Sequence, residues 1–132
     1  MSRENVEIIR SIYANRLLDR VAGHESLAEV LIEYVNPADA IDPGVRRGSR
    51  EVEKALANLA DIFDQRENRL KRVFDGGDTV VAEVVFSGRG ARSGVEVAHE
   101  EAHTWTFREG RPVRFEWGRD LAAALKAVGL EE

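Results

Sequence analysis

The chain has no cysteine. Disulfide bonds and thiolate metal sites are therefore excluded, and a reducing compartment suits the composition. No apolar run is long enough to span a bilayer. The opening residues, MSRENVEIIR, are charged and lack the apolar stretch of a signal peptide. These absences predict a soluble, cytoplasmic protein with no membrane partner. An excess of positive charge is also missing. The net charge is −5, and the basic clusters, Arg46–Arg47 and the stretch from Arg66 to Arg72, are diluted by nearby acids. Such a surface does not favour phosphate backbones, so nucleic acid is not an expected partner. Linkers, internal repeats and low-complexity tracts are absent, and 132 residues make one ordinary domain, 1–132, with enough chain to bury a core.

What is present is a change of hydrophobic period along the chain. Val6, Ile9, Ile12, Tyr13, Leu17 and Val21 recur at helical spacing and predict a helix from Arg3 to about Val21, with Ser2 as its N-cap. A second short helix is predicted from His24 to about Glu29. The β-branched and aromatic run Val30 to Val35 predicts a strand. Asn36–Pro37 and Asp42–Pro43–Gly44 mark an irregular loop. Ser49 is the expected cap of a third helix, Arg50 to about Asp64, with Val52, Leu56, Leu59 and Phe63 on its buried stripe. From Asn68 the pattern alternates. Strands are predicted around Leu70 to Phe74, from Thr79 to Ser87, from Val95 to Arg108 and from Val113 to Trp117. They are separated by turns at residues 75 to 78, 88 to 94 and 109 to 110. Asp120 caps a last helix, Leu121 to about Val128, closed by Gly129. Helices first, then a meander of antiparallel strands, is an α+β layout with helices covering one face of a curved sheet.

Several stretches together resemble a known group: MSRENVEIIRSIY, GSREVEKAL, FDGGDTVVAEVVFSGRGARSGVEV, HTWTFREGRPVRFEW and RDLAAALKAVGL. In order and spacing they are similar to the SnoaL-like (polyketide cyclase-like) family of the nuclear transport factor 2-like superfamily, over nearly the whole chain. The resemblance implies a bacterial protein with a cone-shaped fold, a pocket between the curved sheet and the helices, and a homodimer through the sheet. It does not imply one reaction, because relatives include cyclases, isomerases, hydrolases, dehydratases and pure binding domains. Similar sequences often carry His at the position of His103, whereas the positions of His99 and Glu101 are usually apolar.

The stretch VAHEEAHTW places His99, Glu101 and His103 at alternate positions of a strand, hence on one face. If Glu109–Gly110 form a two-residue hairpin turn, Arg108 lies opposite Arg111. Counting back then sets Trp105 opposite Arg114 and His103 opposite Glu116. One face would hold His99, Glu101, His103, Trp105, Arg114 and Glu116. The other would hold Ala102, Thr104, Thr106, Val113, Phe115 and Trp117. A longer turn would undo the pairing.

Two readings of the polar face stand side by side: a cross-strand salt-bridge ladder on the surface, and a pocket wall with convergent polar groups beside an aromatic. The resemblance favours the pocket. No metal is expected, because two His four residues apart on a strand are about 13 Å apart at Cα, too far for one ion. Acid–base chemistry without a cofactor fits better. His103 and Glu116 are the expected acid–base pair, with Arg114 and His99 assisting and Trp105, Glu101 and Tyr13 contacting the ligand. Asp42 is a candidate for the rim, and Glu83 for the same face. The glycine-rich SGRGARSG lies between strands, not before a helix, and is read as a hairpin loop rather than a phosphate cradle. The expected ligand is a compact, oxygenated, largely apolar molecule, and the expected reaction an isomerisation, cyclisation or hydrolysis. A non-catalytic binding or dimerisation domain is the alternative.

Overall fold

The architecture was read from a computed structural model of the chain, which describes residues 2–19, 27, 31–40 and 42–131. Helix α1 spans Ser2–Ala14 and a 3-10 turn spans Leu17–Asp19. Strands β1 (Glu33–Asn36) and β2 (Gly44–Arg47) precede helix α2 (Ser49–Ile62). Strands β3 (Phe63–Asp75), β4 (Thr79–Gly90), β5 (Glu96–Arg108) and β6 (Arg111–Gly118) follow, and helix α3 (Leu121–Ala127) ends the fold. The strands form one curved sheet in the order β2-β1-β6-β5-β4-β3, antiparallel throughout except for the parallel pair β1–β6. This is the expected α+β fold.

The amphipathic faces of α1 and α2 cover one side of the sheet. Ile9, Ile12 and Tyr13 from α1, and Val52, Ala55 and Leu56 from α2, join Val80, Ala82, Val84, Trp105 and Phe115 in one buried cluster. Burying each large apolar side chain is worth about 1.5–3 kcal/mol, so this layer supplies most of the driving force. Helix α3 packs against β4 and β5 and buries Leu125. Its start is capped as the sequence predicts, Asp120 Oδ1 accepting from the Ala123 amide at 3.1 Å.

Several boundaries differ from the sequence-based expectation, each for a local reason. The first helix stops at Ala14 because Arg16 takes a left-handed φ of 56°; Leu17 and Leu18 continue the apolar period but not the helix. The short helix expected from His24 to Glu29 lies outside the described residues apart from Leu27, which is buried. The loop after Asn36 contains a strand: Gly44 to Arg47 pair with Asn36 to Glu33. Ser49 is inside α2, whose N-cap is Gly48 at φ 84°, with no side-chain cap. Strand β3 begins at Phe63, directly after α2, and bulges between Asp64 and Glu67.

The difference that matters most for function lies in the β5–β6 hairpin. Glu109 and Gly110 do form a two-residue turn, with φ 52° and 75°, and Arg108 pairs with Arg111. Yet Phe107 pairs with Pro112 and Thr106 with Arg114, leaving Val113 as an extra residue on β6. Proline has no amide to give the ladder, and bulges are where strands tolerate it. The bulged residue's carbonyl is used by the next strand, accepting from the Ile32 amide at 2.7 Å. Beyond the bulge every partner slips by one: Trp105 faces Phe115, Thr104 faces Glu116 and His103 faces Trp117. A slip of one transfers side chains to the opposite face. Arg114 and Glu116 therefore leave the histidine face, and Phe115 and Trp117 join it.

A candidate acid–base site on the concave face

The concave side of the sheet is open between its apolar core and the helix α2 end. The cavity there is lined by Tyr34 and Asn36 of β1, Asn58, Leu59 and Ile62 of α2, Phe63, Arg66 and Asn68 of β3, and Phe86 of β4. Strands β5 and β6 complete it with His99, Glu101, His103, Phe115 and Trp117. Alternation explains the set, since Phe86 pairs with His99, Val84 with Glu101, Ala82 with His103 and Tyr34 with Phe115.

Five side chains make one hydrogen-bonded chain through this wall. Trp105 Nε1 donates to the Tyr13 hydroxyl at 3.0 Å, and that hydroxyl meets His103 Nδ1 at 2.6 Å. His103 Nε2 lies 2.8 Å from one oxygen of Glu101, and His99 Nε2 lies 2.8 Å from the other. The donors can be assigned from the deep end. Indole N–H only donates, so Tyr13 accepts from Trp105, and among the described residues His103 Nδ1 is the acceptor within reach of its own proton. Burial keeps that proton in place by pushing the Tyr13 phenol well above its ordinary value; the bond from Trp105 acts the other way, and the Glu101 charge adds to the rise. His103 Nδ1 is then the acceptor, its proton sits on Nε2, and Nε2–H donates to Glu101. Glu101 is buried, which raises its carboxyl, but the hydrogen bonds and charges of His103 and His99 outweigh burial and hold it below the usual range. It is an ionised carboxylate accepting from both rings.

The two histidines differ in what this leaves them. His103 is 1% exposed, stacks on Tyr13 and has both nitrogens engaged. His99 is half-buried on the cavity side, stacked at 5.3 Å on Phe86. With Nε2–H on Glu101, the neutral ring has an Nδ1 lone pair that no group among the described residues takes.

A residue missed by sequence reasoning completes the set. Tyr34, 3% exposed, lines the cavity, and its hydroxyl makes no hydrogen bond among the described residues. Burial pushes its phenol far above the ordinary value, the Glu101 charge adds to this and Arg66 opposes it, so it stays a donor. The run VLIEYV betrayed a strand but not which of its faces looks inward.

The other predicted residues lie elsewhere. Glu116 and Arg114 sit on the opposite face, where Arg114 bonds Glu33 at 3.1 Å and Glu116 at 3.4 Å, and Arg47 bonds Glu33 at 2.9 Å. The structure thus separates Glu116 from His103, for the register reason given above. Glu83 is also on that face, paired with Arg72 at 2.7 Å. Trp105 is fully buried behind the wall and holds Tyr13; Trp117 is the tryptophan that lines the cavity. Asp42 does reach the rim, bonded to Arg46. Among the described residues no group of three or more His, Cys, Asp or Glu is arranged to hold a metal ion.

A family model for the SnoaL-like domain matches residues 14–115. The chain belongs to the SnoaL-like domain family. Solved structures agree on the fold. A putative SnoaL-like polyketide cyclase from Jannaschia sp. CCS1 superposes with TM-score 0.76 at 17% identity, over 99% of this chain and 95% of that one. TerC, crystallised with polyporic acid, gives 0.73 at 21% identity, over 96% and 98%. A protein of ketosteroid isomerase-like fold from Catenulispora acidiphila DSM 44928, in complex with trimethylamine, gives 0.72 at 17% identity, over 95% and 94%. Among curated proteins, none matches the chain. No helix among the described residues is long and apolar enough to cross a membrane.

Proposed function

We propose that this SnoaL-like protein is a cofactor-free acid–base catalyst acting on a compact, oxygenated, largely apolar molecule. The observation that carries the reading is a cavity-lining His99 whose Nε2 is held by the buried Glu101 carboxylate, which leaves Nδ1 as the ring nitrogen not bonded to it. A carboxylate on one imidazole nitrogen orients the ring and stabilises the imidazolium formed when the other takes a proton. In this scheme His99 Nδ1 removes a proton from carbon next to a carbonyl. The C–H electron pair becomes the new C=C bond, and the carbonyl π pair moves onto oxygen. Tyr34 donates its hydrogen bond to that oxyanion. In a β,γ-unsaturated ketone the imidazolium then returns the proton to the γ-carbon, giving the conjugated isomer; in a dicarbonyl the enolate carbon attacks the second carbonyl and the imidazolium protonates the resulting alkoxide, giving a ring. His103, Tyr13 and Trp105 position Glu101 from behind. That TerC was crystallised with polyporic acid is in keeping with an oxygenated ring compound as ligand.

The test uses α-tetralone, a bicyclic aromatic ketone, in deuterated buffer, with exchange of its α-protons followed by NMR. The wild-type protein should accelerate exchange over buffer. His99→Gln should lose about 100-fold or more of that acceleration, and Tyr34→Phe about 100-fold. Binding of tetralone without any acceleration would sink the catalytic reading and leave a ligand-binding domain. We also propose a homodimer through the convex face of the sheet and a cytoplasmic location. A monomer at micromolar concentration in the analytical ultracentrifuge would contradict the dimer.

A further inference from the structure

Two arginines line the cavity, Arg66 and Arg119, and the scheme above uses neither. Arg66 lies in the β3 bulge, where Gln65 and Arg66 together oppose Gly88 and Gln65 takes a left-handed φ of 53°. A non-glycine residue held in that region is unusual, and bulges commonly re-aim a side chain beside a functional site. Here the extra residue lets Phe63, Arg66 and Asn68 all line the cavity, which strict alternation forbids.

The charge of Arg66 is uncompensated among the described residues. It lies beside Asp19, but the Asp19 carboxylate is taken by Arg16 Nε at 3.1 Å and by Asn68 Nδ2 at 3.2 Å. Among the described residues the Arg66 side chain donates only to the Asp19 main-chain carbonyl, from Nη2 at 3.0 Å, and Arg16 Nη2 in turn donates to the Arg66 carbonyl at 2.6 Å. The other lining arginine, Arg119, is bonded to Asp39 at 2.7 Å and lies over Trp117. The rim acid Asp42 is bonded to Arg46. Both oxygens of Glu101 are engaged by histidines. Among the described residues the Nε and Nη1 groups of Arg66 are thus donors without an acceptor, on a planar guanidinium fork suited to an anionic oxygen.

We infer that Arg66 is the anchor for an anionic oxygen of the substrate, so that the site prefers a flat conjugated acid over its neutral analogue. This deepens the acid–base reading and rests on it for the orientation of the bound molecule. Asn68, Phe86 and His99 form one row across three adjacent strands. The Arg66 end and the His99 end of the cavity are therefore two strand spacings, about 10 Å, apart at the backbone. Between them lies the Phe86 ring, stacked on His99 and edge-on to Phe63 at 5.4 Å. A system of one or two fused rings can lie over Phe86 with its acidic oxygen on Arg66. Its far side then meets His99. A bidentate guanidinium contact fixes which edge of a flat molecule faces the base.

The experiment compares 2-naphthoate with 2-naphthamide by isothermal titration calorimetry. The pair shares shape and differs in charge. Wild-type protein should prefer the acid by about tenfold or more, as expected for a charge-assisted hydrogen bond. Arg66→Gln should abolish that preference and leave amide binding within about twofold. Arg66→Lys keeps the charge without the fork and should restore part of the preference; it also guards against a folding defect caused by loss of the Asp19 contact. His99→Gln should retain the full preference for the acid, which separates this test from that of the catalytic reading. An amide bound as tightly as the acid, a preference that survives Arg66→Gln, or binding of neither compound would overturn the inference.

Discussion

The two faces of the β5–β6 hairpin carry the same kinds of residue at the same spacing, with opposite outcomes. On the concave face His99, Glu101 and His103 are locked into a chain that continues to Tyr13 and Trp105, and Glu101 is only 9% exposed. On the convex face Arg114, Glu116, Glu33 and Arg47 form a ladder of partly exposed ion pairs. Alternating charge on a strand therefore says little by itself. What differs is burial: in a dry wall each polar group must find its partner, whereas at the surface water substitutes for any of them.

The contrast predicts a graded set of stabilities. The largest effect belongs to Glu101. Its replacement by leucine strands the buried Nε2–H of His103 and should cost about 3 kcal/mol in a denaturant titration. The equivalent change on the other face, Glu116→Leu, should stay within about 0.5 kcal/mol. Similar losses on both faces would erase the distinction. Next is Tyr13→Phe, which removes the acceptor of Trp105 and the donor to His103 together, at about 1–3 kcal/mol.

A smaller effect is expected in acid. The Glu101 carboxyl is held below its ordinary value of 4.5 in the folded chain. Its contribution to stability is then fully present above that value and is lost as pH falls through the lower, folded one. The stability gap between wild type and Glu101→Gln should narrow steadily below about pH 4.5, measured by chemical denaturation across pH. A gap that widens in acid would mean that the carboxyl is protonated in the fold. The smallest effect is that of His99→Gln. This residue is half-buried and contributes one bond to a carboxylate that keeps another, so stability should change by less than about 1 kcal/mol while tetralone exchange collapses.

The sequence carried the element types and the histidine face, because period and β-branching are local properties of the chain. Strand β2 escaped notice because Gly44 to Arg47 is short, polar and follows a proline. The pairing of His103 with Glu116 failed for a single physical reason, the bulge at Val113, and its signal was in plain view as Pro112. A proline inside a predicted strand should have prompted a shifted register. Tyr34 and Arg66 were harder to foresee. One depends on how a four-residue strand is oriented, the other on a bulge at Gln65 that nothing in the local pattern announces.

The claim on which the rest depends is the proton arrangement of the concave chain. Nitrogen-15 NMR of the histidine rings, at a pH where they are neutral, reads it directly. The account predicts that His99 and His103 are both protonated at Nε2, with His103 Nδ1 shifted as a hydrogen-bond acceptor and His99 Nδ1 as a bare lone pair that responds to ligand. A proton on His99 Nδ1 would contradict it, because the cavity would then face a donor where the chemistry needs a base.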